Sequence, residues 1–259
     1  MQGAQSYAAK AMRCTTLQEA YERDGWVRVP GRLGASELAA MRSAFNACIA
    51  SIPFVQNAGA LRPEVGTEPA FWALGQEPVF AGLPEIFMTA VRQVFGSGMW
   101  AHVEGEQGGF AMPNLPCPSH PWSPCSAAWH VDEATPPGRI PSNVLIGFIC
   151  LDRLSARGGA TVVLTGSTRR LELLADELAT PCTTDLAIAH LTTTEPWFPG
   201  LLQSTEEETH LSAGVPLAQH ELTGEAGDVL LMNPRCLHTT SANASPRARL
   251  LMRMTCVRV

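Results

Sequence analysis

The sequence has few charged residues, no CxxC cysteine pair and no apolar run long enough to cross a membrane. Charged residues make up 16% of the 259 residues and hydrophobic residues 46%, a balance that excludes a disordered chain. The net charge is −6 and the Lys and Arg residues are scattered. Because nucleic acids and anionic membranes need a clustered basic face, we expect neither as a partner.

The eight cysteines are spread along the chain, and several lie inside apolar runs such as "GFICL" and "MRMTCVRV". In a chain of this length they predict buried thiols in a reducing compartment, not a disulfide framework. The opening "MQGAQSYAAKAMRC" lacks the apolar core of a secretion signal. We therefore expect a cytoplasmic protein, and the sequence does not indicate its oligomeric state.

The first hundred residues are predicted to be a loose tail over 1–14 and a mainly helical support over 15–99. Thr16, followed three residues later by Glu19, forms a capping-box pattern at the start of a helix. "WVRVP" predicts a short strand, and "ASELAAMRSAFNACIASI" has apolar residues at helical spacing. "PEIFMTAVRQVFGSG" predicts a further helix that ends at Gly96.

The remainder, residues 100–259, is predicted to be a jelly-roll core. Short β-rich runs ("NVLIGFICL", "GATVVLTGS", "GDVLLMNP" and "RLLMRMTCVRV") alternate with turn residues, a pattern typical of a sandwich or barrel. Residues 171–220 are predicted to be an insert of loops with one helical turn. No internal repeat or linker is present, so we expect a mainly β fold with flanking helices and a single domain over 1–259.

One short segment, "WHVDEATPPG", contains His130 and Asp132 two residues apart. Side chains alternate along a strand, so one strand end can offer this imidazole and this carboxylate to a single ion. His102 and Glu104 have the same spacing and remain an alternative. The segment with His130 is favoured because a Trp precedes it, whereas "EGEQGG" after His102 is typical of a turn.

A second histidine lies far along the chain, after the strand "DVLLM" and the turn Asn233–Pro234. This residue, His238, can complete a set of two histidines and one carboxylate with His130 and Asp132. Such a facial triad leaves positions open on the metal and is typical of non-haem Fe(II) oxygenases. An Arg that follows, Arg249, offers a guanidinium fork for a carboxylate-bearing co-substrate.

The motifs "WHVD" and "GGATVVLTGSTRR" and the C-terminal block around His238 resemble the phytanoyl-CoA hydroxylase-like family of Fe(II)- and 2-oxoglutarate-dependent dioxygenases. "LQEAYERDGWVRVPGRLGASELAAMRSAF" is similar to the family's opening helix, strand and second helix. In that family an Arg eleven residues after the distal His binds 2-oxoglutarate, and an Asn follows the same His by five residues. Arg249 and Asn243 match both positions.

The resemblance implies a jelly roll (double-stranded β-helix, cupin-like) in which His130, Asp132 and His238 bind Fe(II). It implies that Arg249 pairs with the far carboxylate of 2-oxoglutarate. Two other arginines, Arg247 and Arg253, compete for this role, and Arg253 shares the strand face of Arg249.

Further residues are expected near the co-substrate or the substrate. Thr240 occupies the position of a family Ser that helps to hold 2-oxoglutarate, and Met112 in "FAMPNLP" is a candidate for the same pocket. Candidates for the substrate pocket are Trp129, Phe148 and Phe110. The chain has Gly-Ser-Thr-Arg where the family often has Gly-Ser-His-Arg, which leaves the role of that turn open.

The implied activity is oxidation of an unactivated C–H bond in a small molecule, usually hydroxylation, with consumption of O₂ and release of succinate and CO₂. Halogenation is disfavoured, since halogenating relatives replace the carboxylate that Asp132 retains. Two other classes stay open. One is a jelly-roll binding module without turnover, and the other is a cupin-like isomerase or lyase that uses no 2-oxoglutarate. Neither needs a guanidinium at Arg249.

Overall fold

The computed structural model describes residues 16–31, 33–57, 60–64, 66–103, 108–117 and 119–259. The predicted tail over 1–14 and the alternative ligand Glu104 lie outside the described residues. No helix in the described ranges is long and apolar enough to cross a membrane.

The first helix, α1 (Leu17–Asp24), begins where the capping box predicts. The Thr16 hydroxyl accepts a hydrogen bond from the Glu19 N–H at 3.2 Å, and the Glu19 carboxylate accepts from the Thr16 N–H at 2.8 Å. The helix ends at Gly25, whose φ of 82° lies in the left-handed region that favours glycine. The chain then enters β1 (Trp26–Val29), as predicted.

Further helices support the larger sheet, and a hairpin that the sequence did not predict lies among them. The elements are α2 (Ala35–Ala50), the strands β2 (Phe54–Asn57) and β3 (Ala60–Pro63), α3 (Glu68–Gly75) and α4 (Leu83–Phe95). The predicted stop of α4 at Gly96 is confirmed. Apolar residues of α2 and α4, such as Phe45 and Phe87, are fully buried against the outer face of the larger sheet.

The remaining strands build two antiparallel sheets. They are β4 (Trp100–His102), β5 (Phe110–Asn114), β6 (Val144–Cys150), β7 (Thr161–Thr165), β8 (Thr209–Ser212), β9 (Val215–Glu221), β10 (Val229–Met232), β11 (His238–Thr240) and β12 (Arg249–Arg258). The larger sheet has the order β1-β10-β6-β12-β4, with β5 also paired to β12, and the smaller has the order β11-β7-β9-β8. The prediction of a mainly β jelly roll with flanking helices is confirmed.

The inner faces of the two sheets share one apolar cluster. Phe148 and Leu230 of the larger sheet pack with Val163 of the smaller sheet and with Leu222, which follows β9. Strand β12 lies next to β6 in the larger sheet, with Leu251 opposite Cys150 and Arg253 opposite Phe148. Directly opposed residues point to the same side, so the alternation predicted for β12 places Arg249 and Arg253 on the inner face.

The prediction for residues 171–220 is wrong in most of its detail. This segment carries most of α5 (Ser167–Leu178), together with α6 (Thr184–Thr194) and α7 (Phe198–Leu201), and it also supplies β8 and most of β9. Thr183 caps the N-terminus of helix α6, because its hydroxyl accepts a hydrogen bond from the Leu186 N–H at 3.3 Å. Buried residues of α6 and α7, such as Leu191 and Phe198, cover the outer face of the smaller sheet, so the segment closes the core on that side.

Candidate metal centre

Two histidines 108 positions apart in the sequence are paired through their backbones at the β11 edge of the smaller sheet. The N–H of His130 donates to the carbonyl of His238 at 2.9 Å, and the N–H of His238 donates to the carbonyl of His130 at 2.9 Å. Residues that exchange both bonds point their side chains to the same side of a sheet. The two imidazole centroids accordingly lie 4.2 Å apart. His238 also lies opposite Val163, whose side chain belongs to the inner cluster.

Asp132 brings a carboxylate to the same place. Its N–H donates to the Pro234 carbonyl at 2.8 Å, which fixes the segment beside the turn that leads to His238. One carboxylate oxygen lies 3.5 Å from Nε2 of His130, and the other lies 3.8 Å from Nε2 of His238. The three potential ligand atoms are all within 4.8 Å of one another, close enough for one ion to lie between them.

Hydrogen bonds at the far side of each ring determine which nitrogen faces this point. Nδ1 of His130 lies 2.7 Å from the Ala128 carbonyl, and Nδ1 of His238 lies 2.9 Å from the Cys236 carbonyl. A carbonyl only accepts hydrogen bonds, so each Nδ1 carries the proton, and in a neutral ring Nε2 keeps its lone pair. This arrangement is common in histidines that bind metals. The donor set therefore fits a divalent ion such as Fe(II).

The electrostatics of the three groups favour binding of a cation. Burial, together with the neighbouring His130, lowers the pKa of His238 to about 4, so its imidazole is neutral at pH 7. The hydrogen bond with Asp132 raises the pKa of His130. Burial acts to raise the pKa of Asp132, but His130, His238 and the guanidinium of Arg253 outweigh it and keep the carboxyl ionised.

An ion pair between a buried arginine and a partly exposed carboxylate, which the sequence analysis missed, braces the Asp132 segment. Arg235 is 4% exposed, and its guanidinium donates to the Glu133 carboxylate and to the Ile140 carbonyl. The second Glu133 oxygen accepts from the Ser142 hydroxyl. The signal available in the sequence was weak: an acid directly after one candidate ligand, and an arginine three residues before another candidate.

Arg249 lies deep in the barrel at the start of β12. It is 6% exposed, and its guanidinium donates to the Gly159 carbonyl at 2.8 Å. Asn114, its partner on β5, donates to the same carbonyl at 3.0 Å. Asn243, which the family resemblance singles out, donates its amide to the Asn114 carbonyl at 2.8 Å. Gly159 is required here, because its φ is 75° and a Cβ would lie 2.5 Å from the Asn114 amide nitrogen.

The two competing arginines occupy different places. Arg247 is exposed and precedes β12. Arg253 lies on the inner face of β12, with its side chain 30% exposed and one guanidinium nitrogen 3.9 Å from the Asp132 carboxylate. Arg249 and Arg253 therefore both face the interior that contains the triad.

Three of the other predicted residues also lie on the inner faces. Thr240 is two residues beyond His238 on β11, so both side chains point inward. Met112 of β5 lies opposite Leu251 and contacts the inner cluster, and Phe148 lies within that cluster. Phe110 also lies opposite Arg253 in register, but its ring packs on helix α3, with its centroid 4.9 Å from that of Trp72.

The prediction that Trp129 lines the substrate pocket is wrong. It precedes His130 in an extended segment, so its side chain points to the opposite face of the sheet. Trp129 is 5% exposed, packs with Leu164 and Phe198 under α6 and α7, and donates its indole N–H to the Leu202 carbonyl at 3.0 Å. It is part of the outer core.

The alternative ligand His102 also faces away from the interior. It lies on β4 opposite Cys256, which belongs to the cluster between the larger sheet and the helices. Its ring contacts Phe87 of α4 at a centroid distance of 6.5 Å.

Comparison with known proteins agrees with this geometry. Residues 21–251 match the family described as phytanoyl-CoA dioxygenase (PhyH), so the chain belongs to that family. No curated protein matches the chain. Among solved structures, the chain is similar to SnoK, described as a non-haem alpha-ketoglutarate-dependent carbocyclase from nogalamycin biosynthesis. The TM-score is 0.58 and the identity 17%, with 93% of this chain and 82% of that one covered.

A second similar structure is AviO1 from Streptomyces viridochromogenes Tue57, with a TM-score of 0.52 and 16% identity over 93% of each chain. At these identities the two structures establish the fold. Family membership makes the protein a 2-oxoglutarate-dependent dioxygenase whose cofactors are Fe(II) and 2-oxoglutarate, and the triad is a donor set that suits the metal.

Proposed function

We propose that the protein hydroxylates, or otherwise oxidises, an unactivated C–H bond of a small-molecule substrate, with His130, Asp132 and His238 as the iron ligands. The observation that carries this proposal is the mutual backbone pairing of the two histidines, whose Nε2 atoms lie 3.5 and 3.8 Å from the Asp132 oxygens. Iron bound at this point supplies the activation of O₂ that the protein groups themselves cannot provide.

Each residue of the proposed site has a distinct task. The carbonyls of Ala128 and Cys236 hold the two imidazoles in the tautomer that presents Nε2. Asp132 brings a negative charge and occupies the coordination position that a halide would need, which disfavours halogenation. The Arg235–Glu133 pair positions the segment that carries Asp132.

We assign the far carboxylate of 2-oxoglutarate to Arg249. Its guanidinium is buried and lies on the inner face of β12, where an ion pair is shielded from water. The hydrogen bond to the Gly159 carbonyl orients the fork, and Thr240 on the neighbouring face of β11 offers a hydroxyl for the same co-substrate. Met112 contributes apolar surface beside this position.

The test is consumption of 2-oxoglutarate by the native protein with Fe(II), followed as succinate and CO₂, since turnover without the true substrate is common in uncoupled form. The variants His238→Ala and Asp132→Ala should lose this turnover together with Mn(II) binding. His102→Ala is the matched control, because that ring faces α4. Mass spectrometry of a substrate screen then identifies an oxygen insertion or another oxidative change.

Two results would contradict the proposal. Iron binding without any binding of 2-oxoglutarate would remove the oxygenase assignment from this site. Unchanged Mn(II) affinity in both triad variants would place the metal elsewhere.

A further inference from the structure

Arg253 is a second cation in the interior, and the assignment of 2-oxoglutarate to Arg249 gives it no task. It lies four residues beyond Arg249 on the same face of β12. One nitrogen is 3.9 Å from the Asp132 carboxylate, a distance too long for a hydrogen bond. The side chain is 30% exposed, so solvent and ligands can reach it.

Among the residues that the structure describes, Asp132 supplies the carboxylate within ion-pair distance of Arg253. Glu133, the acid next to Asp132, is bound by Arg235 and Ser142. Phe148 lies directly opposite Arg253 on β6 and belongs to the apolar inner cluster, so it offers apolar surface beside the guanidinium. A guanidinium beside apolar surface, with its fork partly exposed, is suited to an anion that arrives on an organic molecule.

Charge balance in the loaded site points the same way. The two positive charges of Fe(II) and the one of Arg249 are matched by Asp132 and by the two carboxylates of 2-oxoglutarate. Once Asp132 binds the metal, its charge no longer compensates Arg253. Among the described residues, the positive charge of Arg253 then has no other carboxylate within ion-pair distance.

We propose that Arg253 is the specificity-determining residue of this dioxygenase, and that it binds an anionic group of the primary substrate next to the metal. The substrate class is therefore an organic molecule with a carboxylate, phosphate or sulfonate a few bonds from the C–H group that reacts. This inference rests on the proposed function, because it takes the triad as the metal site and Arg249 as the co-substrate clamp.

The test uses the full-length protein loaded with Mn(II) and 2-oxoglutarate. Mn(II) relaxes the proton signals of any small molecule held close to it, so no turnover is needed. The probes are phenylacetate, phenyl phosphate and benzenesulfonate, with the neutral phenylacetamide as the reference. At least one anion should bind the native protein more tightly than the amide.

Arg253→Gln should weaken binding of that anion by about tenfold, which is the size expected for loss of one charge-assisted contact. Arg253→Lys should retain part of the affinity, because it keeps the charge and loses the fork. Arg247→Gln is the matched control, since it removes an exposed arginine that lies outside the site. Calorimetry with 2-oxoglutarate and the Mn(II) resonance signal are recorded on every variant, together with thermal unfolding.

The outcomes separate the two proposals. If the native protein binds Mn(II) and 2-oxoglutarate but no anion better than phenylacetamide, the inference is overturned and the proposed function stands. If Arg253→Gln weakens binding of 2-oxoglutarate and leaves binding of the anion unchanged, Arg253 binds the co-substrate and the inference is wrong. If the native protein does not bind Mn(II), both proposals fail.

Discussion

Two arginines on one strand, Arg249 and Arg253, share a chemical group and a sheet face but lie in different environments. Arg249 is 6% exposed and donates to the Gly159 carbonyl, within a network of buried amides. Arg253 is 30% exposed and approaches the Asp132 carboxylate without a hydrogen bond. Four residues of β12 therefore separate an oriented, buried cation from an accessible one. We therefore expect location, and not residue type, to decide which anion each guanidinium binds.

The largest expected effect comes from removal of the buried cation. Arg249→Met should raise the dissociation constant of 2-oxoglutarate by about two to three powers of ten, because one partner of a buried, hydrogen-bonded charge pair is lost. Mn(II) affinity should stay within about threefold, since Arg249 donates to Gly159 and not to the triad. Calorimetry on the Mn(II)-loaded variants measures both. Arg253→Met is the comparison, and an equal loss of 2-oxoglutarate affinity in it would erase the division of roles.

A third arginine tests whether burial alone makes a guanidinium a ligand-binding group. Arg235 is 4% exposed, and both of its terminal nitrogens donate, one to Glu133 and one to the Ile140 carbonyl, so we expect a structural role. Arg235→Met should lower the free energy of unfolding by about 2 kcal/mol, because Glu133 and the Ile140 carbonyl lose a charged donor. Denaturant titration measures this. Arg153→Met, which breaks an exposed pair with Glu225, is the control and should cost less than about 1 kcal/mol.

The amide network around Gly159 should support Arg249 and not Arg253. Asn114 donates to the carbonyls of Gly159 and Ser241 at 3.0 and 2.9 Å. Asn114→Ala should lower the free energy of unfolding by about 2 kcal/mol, since those buried carbonyls lose a donor. It should also weaken binding of 2-oxoglutarate and leave the affinity for the anionic probes unchanged. A stability loss without any change in 2-oxoglutarate affinity would show that the network does not orient Arg249.

The smallest effect concerns ionic strength. Salt screens exposed charges far more than buried ones. A rise from low to physiological ionic strength should therefore lower the affinity for the anionic probes roughly threefold. Binding of 2-oxoglutarate to the Mn(II)-loaded protein should change less. Titrations at several chloride concentrations measure both curves. Parallel slopes for the two ligands would mean that the two guanidinium groups are equally exposed in the loaded protein.

The strands and the local pair of His130 and Asp132 were predictable because they follow from local rules, whereas no local rule relates His238 to that pair and the family resemblance supported its choice. Alternation along a strand suggested the pairing of His130 with Asp132, and the same rule places Arg249 and Arg253 on one face, as the register confirms. That rule also explains the error at Trp129. A residue next to His130 in an extended segment must point to the other face, so its packing under α6 and α7 was implied by the same pattern.

The parts that were not predictable depend on contacts between distant residues. Strand β8 has four residues, and its inclusion in the sheet depends on pairing with β9, for example Ser212 with Val215. Helix α6 takes its place by burying Leu191 against the smaller sheet. The brace between Arg235 and Glu133 spans 102 positions, and nothing in either local segment specifies the other partner. Sequence patterns predict the sheet face on which a residue lies, whereas tertiary contacts decide which distant residue it pairs with.

The reciprocal backbone bonds between His130 and His238 have a consequence for how the protein gains and loses its metal. The two imidazoles come together only in the folded chain, so the denatured polypeptide offers no comparable chelating site. An ion bound there ties two distant stretches together and shifts the folding equilibrium toward the native state in proportion to its free concentration. Chelators should thus lower the melting temperature. Loss of the two backbone hydrogen bonds would separate the imidazoles and release both nitrogen donors at once.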